Sequence, residues 1–349
     1  MSEMEKSVRA LDDSDLEAIE KARAANLIVL PPAMLEKDIL VRDAVIAMCS
    51  VGREHGAVLI FAGGSSLSQA YNIVERMSED IDFRIVLPSD AQSQNQKRNL
   101  LSAIKGDILK TMEEAGFPVD GELKARNGNA YIMGNFQYAS AFQDVEALRP
   151  SIKVEVTAFE PVSHVEQRPL QTILERILNQ QPISGISVPV VSIEDTLADK
   201  VVGYLRRTAA HRSGCGRGGY DDRLVRHMYD THKAIEQYAG DGLMDRVAPL
   251  FLVTVERDRR AYGNQFPAFR DDPWGSLAEE RNHLRDDDAR KRYEVFCRSM
   301  IYGETPHFDE VSHSFLNFSG ELLDYAQSLR ARNVVDNRRA PNVYTKLTP

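Results

Sequence analysis

Residues 63–83 read GGSSLSQAYNIVERMSEDIDF. The stretch opens on two glycines and two serines and closes on Asp80-Ile81-Asp82 and Phe83; the apolar run AVLIFA precedes it. An apolar run of that length ended by glycines predicts a buried strand and a tight turn. Leu67, Ala70, Tyr71 and Val74 then recur at three- and four-residue spacing behind hydroxyl N-cap candidates, which predicts a helix over SSLSQAYNIVERMS. DIDFRIVLP alternates Ile81, Phe83, Ile85 and Leu87 with polar or charged residues, so a second strand runs to Pro88. The order strand, turn, helix, strand brings the Gly-Ser turn and the acidic pair to one edge of a sheet.

Side chains two apart on a strand share a face, so Asp80 and Asp82 converge. Hard divalent ions such as Mg²⁺ take carboxylate and phosphate oxygens, and two such ions brace both the attacking and the leaving oxygen of a phosphoryl displacement. Glu155 in IKVEV is the candidate third carboxylate, with Lys153 a competing residue on the same strand face. At the turn, Gly63, Gly64, Ser65 and Ser66 offer backbone N–H groups to a nucleotide phosphate, and glycine permits its close approach. Asp-x-Asp alone is a weak signal, for it recurs at Asp13/Asp15 and Asp286/Asp288 in polar surface segments. Only Asp80/Asp82 interrupts an apolar strand, where two like charges are costly without a counter-ion.

A chain of 349 residues is long enough for one large or two intimate domains. No apolar run approaches the length of a membrane span, and the polar, acidic N-terminus lacks a secretory pattern, so a cytoplasmic address is expected. The three cysteines, Cys49, Cys215 and Cys297, lie far apart, which argues against a disulfide framework or a zinc ribbon. A net charge of −9 excludes a generally polyanion-binding protein. Between Lys200 and Lys233, however, eight Lys/Arg face three aspartates, the asymmetry a local polyanion-binding surface needs.

The expected fold class is α+β: a mixed β-sheet domain with helices, then an all-helical C-terminal domain. The segments read as an N-terminal helix (1–30), a core domain (31–165), a linker (166–190) and a helical domain (191–349). The first helix is expected at Ser14, where SDLE has capping-box spacing, and AMLEKDILVRDAVIAMCSVG reads as a long amphipathic helix. NAYIMGNFQYAS and SIKVEVTAF read as strands, and four prolines between Pro161 and Pro189 mark the hinge.

The segment FAGGSSLSQAYNIVERMSEDIDFRI resembles the signature of the AbiEii/AbiGii toxin family of nucleotidyltransferases, members of type IV toxin–antitoxin and abortive-infection systems. LEKDIL (35–40), IEDTLADKVVGYLRR and RHMYDTHKAI look like further family segments, so the resemblance spans residues 35–236. It implies that Gly64 and Ser65 hold nucleotide phosphates, that Asp80 and Asp82 bind Mg²⁺, that Lys200 contacts the triphosphate, and that Asp230 lies at the same site. Ser78 matches a serine that is a self-modification position in some relatives, although a helix C-terminal hydroxyl is the preferred reading. One departure stands out: Arg226-His227 occupies the place of the family's Arg-Asp.

Other features carry less. His227 and His232 are five apart, not the four of a helical metal pair, and GCGRGG lacks the Gly-Lys-Ser/Thr ending of a P-loop. SLAEERNHLRDDDARKRYEVF reads as a solvated helix. Arg206, Arg207, Arg212, Arg217 and Arg226 are candidate acceptor contacts. The family resemblance implies an Mg²⁺-dependent toxin of a toxin–antitoxin or phage-defence pair that moves NMP from an NTP to the 3′ end of a tRNA, an acceptor that suits the basic segment. An antitoxin protein is its expected partner. The alternatives are a small-molecule or protein acceptor, or a non-catalytic NTP-binding regulator.

Overall fold

The structure, a computed structural model, describes residues 8–91, 93–143, 145–146, 148–159, 161, 163–183, 185–216, 219–238, 240 and 242–337, with side chains to residue 332. The outer ends of the first and last expected segments, 1–7 and 338–349, lie outside the described residues. The chain forms two compact units: one runs to Ser192 and adds Arg298–Thr305, and the other comprises Ile193–Cys297 and the chain from Pro306.

In chain order the first unit holds α1 (Asp13–Ala24), α2 (Pro32–Met48), β1 (Val58–Ala62), α3 (Gly63–Gln69), β2 (Asp80–Val86), α4 (Gln94–Glu114), β3 (Lys124–Arg126), β4 (Tyr131–Gln137), β5 (Ser151–Thr157), β6 (Val165–Arg168), α5 (Ile173–Ile177) and β7 (Val188–Val191). Its seven strands form one mixed sheet in the order β3-β4-β5-β2-β1-β7-β6. β1 lies antiparallel to β2 and parallel to β7, and β2 lies parallel to β5. Residues 166–190, expected as a linker, instead supply most of β6, the helix α5 and the start of β7, with Val165 opposite Val191 at the sheet edge. Pro189 lies in β7 opposite Gln167 of the edge strand β6, so one of the prolines read as a hinge marker stands inside the sheet.

Three local expectations change. The first helix is capped by Asp12, whose side chain accepts from the Asp15 N–H, rather than starting on Ser14. α2 is not amphipathic: Glu36, Lys37 and Asp38 are 0%, 0% and 1% exposed amid its apolar residues. α3 stops at Gln69, well short of the predicted end, because Asn72 takes a left-handed conformation at φ 56° that a helix cannot continue through. The Tyr71 hydroxyl then donates to the Val191 carbonyl, and the chain runs to β2 in an irregular path.

That path is held by the returning segment. Arg76 bridges to Ile301 in antiparallel fashion, the Met77 N–H donates to the Met300 carbonyl at 2.8 Å, and the Tyr302 N–H donates to the Glu75 carbonyl at 3.0 Å.

The second unit is helical: α6 (Ile193–Arg212), α7 (Arg226–Tyr238), α8 (Leu243–Tyr262), α9 (Pro267–Asp271), α10 (Pro273–Glu280), α11 (Asp287–Met300) and α12 (Phe308–Asn337), with the end of α11 passing into the first unit. Its core gathers Tyr204, Phe251, Phe315 and Leu322, with the Tyr204 and Phe315 rings edge to face at 5.2 Å. SLAEERNHLRDDDARKRYEVF is not one solvated helix. It breaks between α10 and α11, and Leu277, Leu284, Tyr293 and Phe296 are buried. No helix of the described residues is long and apolar enough to cross a membrane.

Candidate functional site

Sheet register assembles the acidic site in the first unit. Asp82 stands opposite Glu155 on β5 and Ala62 on β1, while Asp80 stands opposite Lys153. Residues directly opposite one another on adjacent strands share a face, so Asp80, Asp82, Lys153 and Glu155 form one patch. Lys153 and Glu155 are paired with each other. The two residues that competed for the third position are thus both present, one as carboxylate and one as its counter-ion.

The turn is fitted to that patch. Gly63 has φ +77°, and a Cβ on it would overlap the Asp82 carboxylate; a Cβ on Gly64 would overlap the Arg76 guanidinium. Glycine is required twice, once for conformation and once for clearance. The serines are spent internally: the Ser65 hydroxyl donates to the Asp80 carbonyl, and that of Ser66 donates to the Gly63 carbonyl at 2.9 Å. Ser78 Oγ stands 2.9 Å from Ser65 Oγ in the irregular segment before β2, so it does not end a helix. These hydroxyls fix the turn against β2.

Charges that were only loosely legible complete the frame. Lys37, on α2, reaches Glu79 at 2.8 Å and donates to the Arg149 carbonyl at 2.6 Å. Glu79 in turn accepts from the Arg149 N–H at 2.8 Å. Burial raises the Glu79 pKa, but Lys37 and that N–H more than offset it and hold the carboxyl below its usual range. The clasp fixes the backbone of Arg149, whose guanidinium donates to Asp80. Asp38 accepts from the Gln69 side chain and, at 2.7 Å, from the Ile173 N–H, and Glu36 accepts from the Ala141 N–H at 2.7 Å. Burial, reinforced by the Glu155 and Asp82 carboxylates, pushes the Tyr131 phenol up, and its hydroxyl bonds to Glu155.

Lys37 and Glu79 stood inside the stretches LEKDIL and GGSSLSQAYNIVERMSEDIDF, where neither was singled out. Arg149 and Tyr131 carried no sequence signal, since the first reaches the patch through the Lys37–Glu79 clasp and the second through the β4–β5 register.

Lys200 and Asp230 belong to the second unit, where α6 and α7 pair them at 2.5 Å. Lys200 is 6% and Asp230 0% exposed. His227, in the family's Asp position, sets Nδ1 3.2 Å from the Lys200 carbonyl, as an N–H donor would. Burial, with the Lys200, Arg207 and Arg226 charges adding to it, holds its pKa well below the ordinary value.

The basic segment is largely neutralised within the unit. Arg206 pairs with Asp258, Arg207 with Asp221 and Arg212 with Glu280. Arg206 and Arg207 border a cavity of about 140 Å³ walled also by His211, Tyr220, Tyr262 and Phe266. Arg226 begins α7, and Arg217 lies outside the described residues.

The donor set of the acidic patch fits a hard divalent cation, because it offers carboxylates only and already draws guanidinium and ammonium counter-ions.

The chain is similar over 92% of its length to MenT4, a nucleotidyltransferase toxin of Mycobacterium tuberculosis, at 16% identity, 97% coverage of that chain and a TM-score of 0.51. It also aligns with an antigenic nucleotidyltransferase-like protein of Paracoccidioides brasiliensis at 14% identity, with 68% and 92% of the two chains covered and a TM-score of 0.32. No curated protein matches it. The family model described as nucleotidyl transferase AbiEii toxin, type IV TA system, matches residues 47–314. With that match covering most of its length, the chain belongs to the AbiEii family of nucleotidyltransferase toxins of type IV toxin–antitoxin systems.

Proposed function

We propose that this enzyme transfers NMP from an NTP to the 3′ end of a tRNA, with Mg²⁺ held by Asp80, Asp82 and Glu155. The observation that carries the reading is the register that sets these three carboxylates on one face beside the Gly63 turn. An NTP substrate and an antitoxin partner follow from the family. A cytoplasmic setting suits an enzyme whose substrates are NTP and tRNA.

Bound Mg²⁺ supplies charge neutralisation at the reacting phosphates. The backbone of Gly63 and Gly64 leaves room for phosphate oxygens, and Ser65 fixes the turn by its bond to Asp80. An acceptor hydroxyl oxygen forms a bond to the α-phosphorus, the bond to the bridging oxygen breaks, pyrophosphate leaves, and the hydroxyl proton passes to a carboxylate of the patch. Lys200 is assigned to the triphosphate, and Asp230 holds its ammonium in an ion pair. Arg206, Arg207, Arg212, Arg217 and Arg226 are assigned to the acceptor.

The test is transfer of label from each of four [α-³²P]NTPs to total tRNA in Mg²⁺, with Asp80→Asn, Asp82→Asn and Lys200→Ala beside the wild type. The reading predicts labelled tRNA from wild type alone, and absence of labelled tRNA from wild type refutes it. The internal pairing of Arg206, Arg207 and Arg212 favours a second reading, in which the acceptor is a small molecule or a protein side chain. Label in a small product or in protein selects it.

A further inference from the structure

α7 carries a second cluster of ligating groups, removed in sequence from the Asp80 patch. His232 and Glu236 are four apart and therefore on one helix face, and Glu310, in the first turn of α12, joins them. One ligand atom from each of the three lies within 4.8 Å of the others. The imidazole is the unusual member: His232 is 4% exposed, and neither ring nitrogen has a hydrogen-bond partner. A buried, unsatisfied polar ring is costly, and an ion is one of the few partners that relieves the cost. Nε2 points at the Glu236 carboxylate, 3.5 Å from Oε1.

The geometry points to a divalent transition-metal site formed by His232, Glu236 and Glu310, which we propose binds Zn²⁺ or Co²⁺ and ties α7 to α12. The donor set decides the class: an imidazole nitrogen with two carboxylates suits these ions, whereas Mg²⁺ prefers oxygen alone. Ligands about 2.1 Å from one ion stand at most ~4.2 Å apart, so the site must contract slightly. Glu236 and Glu310 are exposed and free to rotate inward, while the buried ring stays fixed. Lys233, which holds the other Glu236 oxygen at 2.6 Å, is the competing cation. The ion would brace the helix that also carries Asp230, two residues before His232.

The experiment uses the full chain, stripped by chelator, in an Asp80→Asn/Asp82→Asn background that removes the proposed Mg²⁺ patch. Titration with Co²⁺, followed by visible absorption, should show one equivalent bound. His232→Gln and Glu310→Gln should each weaken that binding at least about ten-fold. Zn²⁺ should raise the melting midpoint by several degrees in the background protein and leave it unchanged in those two variants. Glu310 is exposed, so its variant keeps the test decisive if His232→Gln folds poorly. Absence of Co²⁺ binding in the micromolar range, or undiminished binding by Glu310→Gln, overturns the proposal.

Discussion

At the scale of single residues, Arg149 has the clearest consequence. Its guanidinium lies on Asp80 in the position a cation would contest, so removing it should tighten metal binding at the patch rather than weaken it. Because the Arg149 side chain is 40% exposed, the gain is modest: Arg149→Gln should bind Mn²⁺ about two- to five-fold more tightly, read by electron paramagnetic resonance of the free ion. Gly63→Ala tests the turn. A left-handed φ costs an alanine about 1–2 kcal/mol, and its Cβ also displaces the Asp82 carboxylate. Chemical denaturation should show that loss, and nucleotide transfer should fall further than stability alone explains. That Asp80 and Asp82 share a strand face was legible because alternation is a short-range rule that sequence displays, whereas the register that sets Glu155 opposite Asp82 joins distant strands. Arg149 was not legible, since a loop residue reaches β2 only after α2 has buried Lys37.

At the scale of elements, α2 is the instructive case. Apolar spacing showed that it is a helix, but not that Glu36, Lys37 and Asp38 would be enclosed; periodicity locates a face and says nothing of a helix covered on every side. Each of the three holds a different segment of the first unit, which is why charge survives there. Lys37→Met should destabilise the protein by about 3–5 kcal/mol, because Glu79 is left buried without its cation. Urea unfolding measures this, and the paired change with Glu79→Gln should recover part of the loss.

α7 offers a pH test. His227 has a folded pKa below the ordinary 6.5, so above 6.5 the ring is neutral folded or unfolded, whereas below it the unfolded chain takes up a proton that the folded chain refuses. Its contribution is therefore complete above about pH 6.5 and erodes as the pH falls, by up to ~1.4 kcal/mol per unit. Unfolding midpoints at pH 7.5, 6.5 and 5.5 should fall more steeply for wild type than for His227→Asn.

At the scale of the whole molecule, composition exposed the basic segment but not its neutralisation, because Asp258 and Glu280 lie 52 and 68 residues from the arginines they hold. Fewer net contacts remain for an RNA backbone. If two or three phosphates are engaged, tRNA affinity should drop roughly 10- to 40-fold between 50 and 200 mM salt, which filter binding measures. The division into a sheet unit and a helical unit was readable from the strand and helix patterns. The excursion of Arg298–Thr305 was not, for eight residues without a motif give no sign of which unit they join. That excursion makes the polypeptide cross between its units three times, so no single cut separates them. A gene fragment ending at Ser192 would encode every carboxylate of the patch, yet it would deprive the Glu75 carbonyl and the Met77 amide of their partners and release the approach to Asp80. Modular exchange of the sheet unit between relatives would therefore require two insertions, made together.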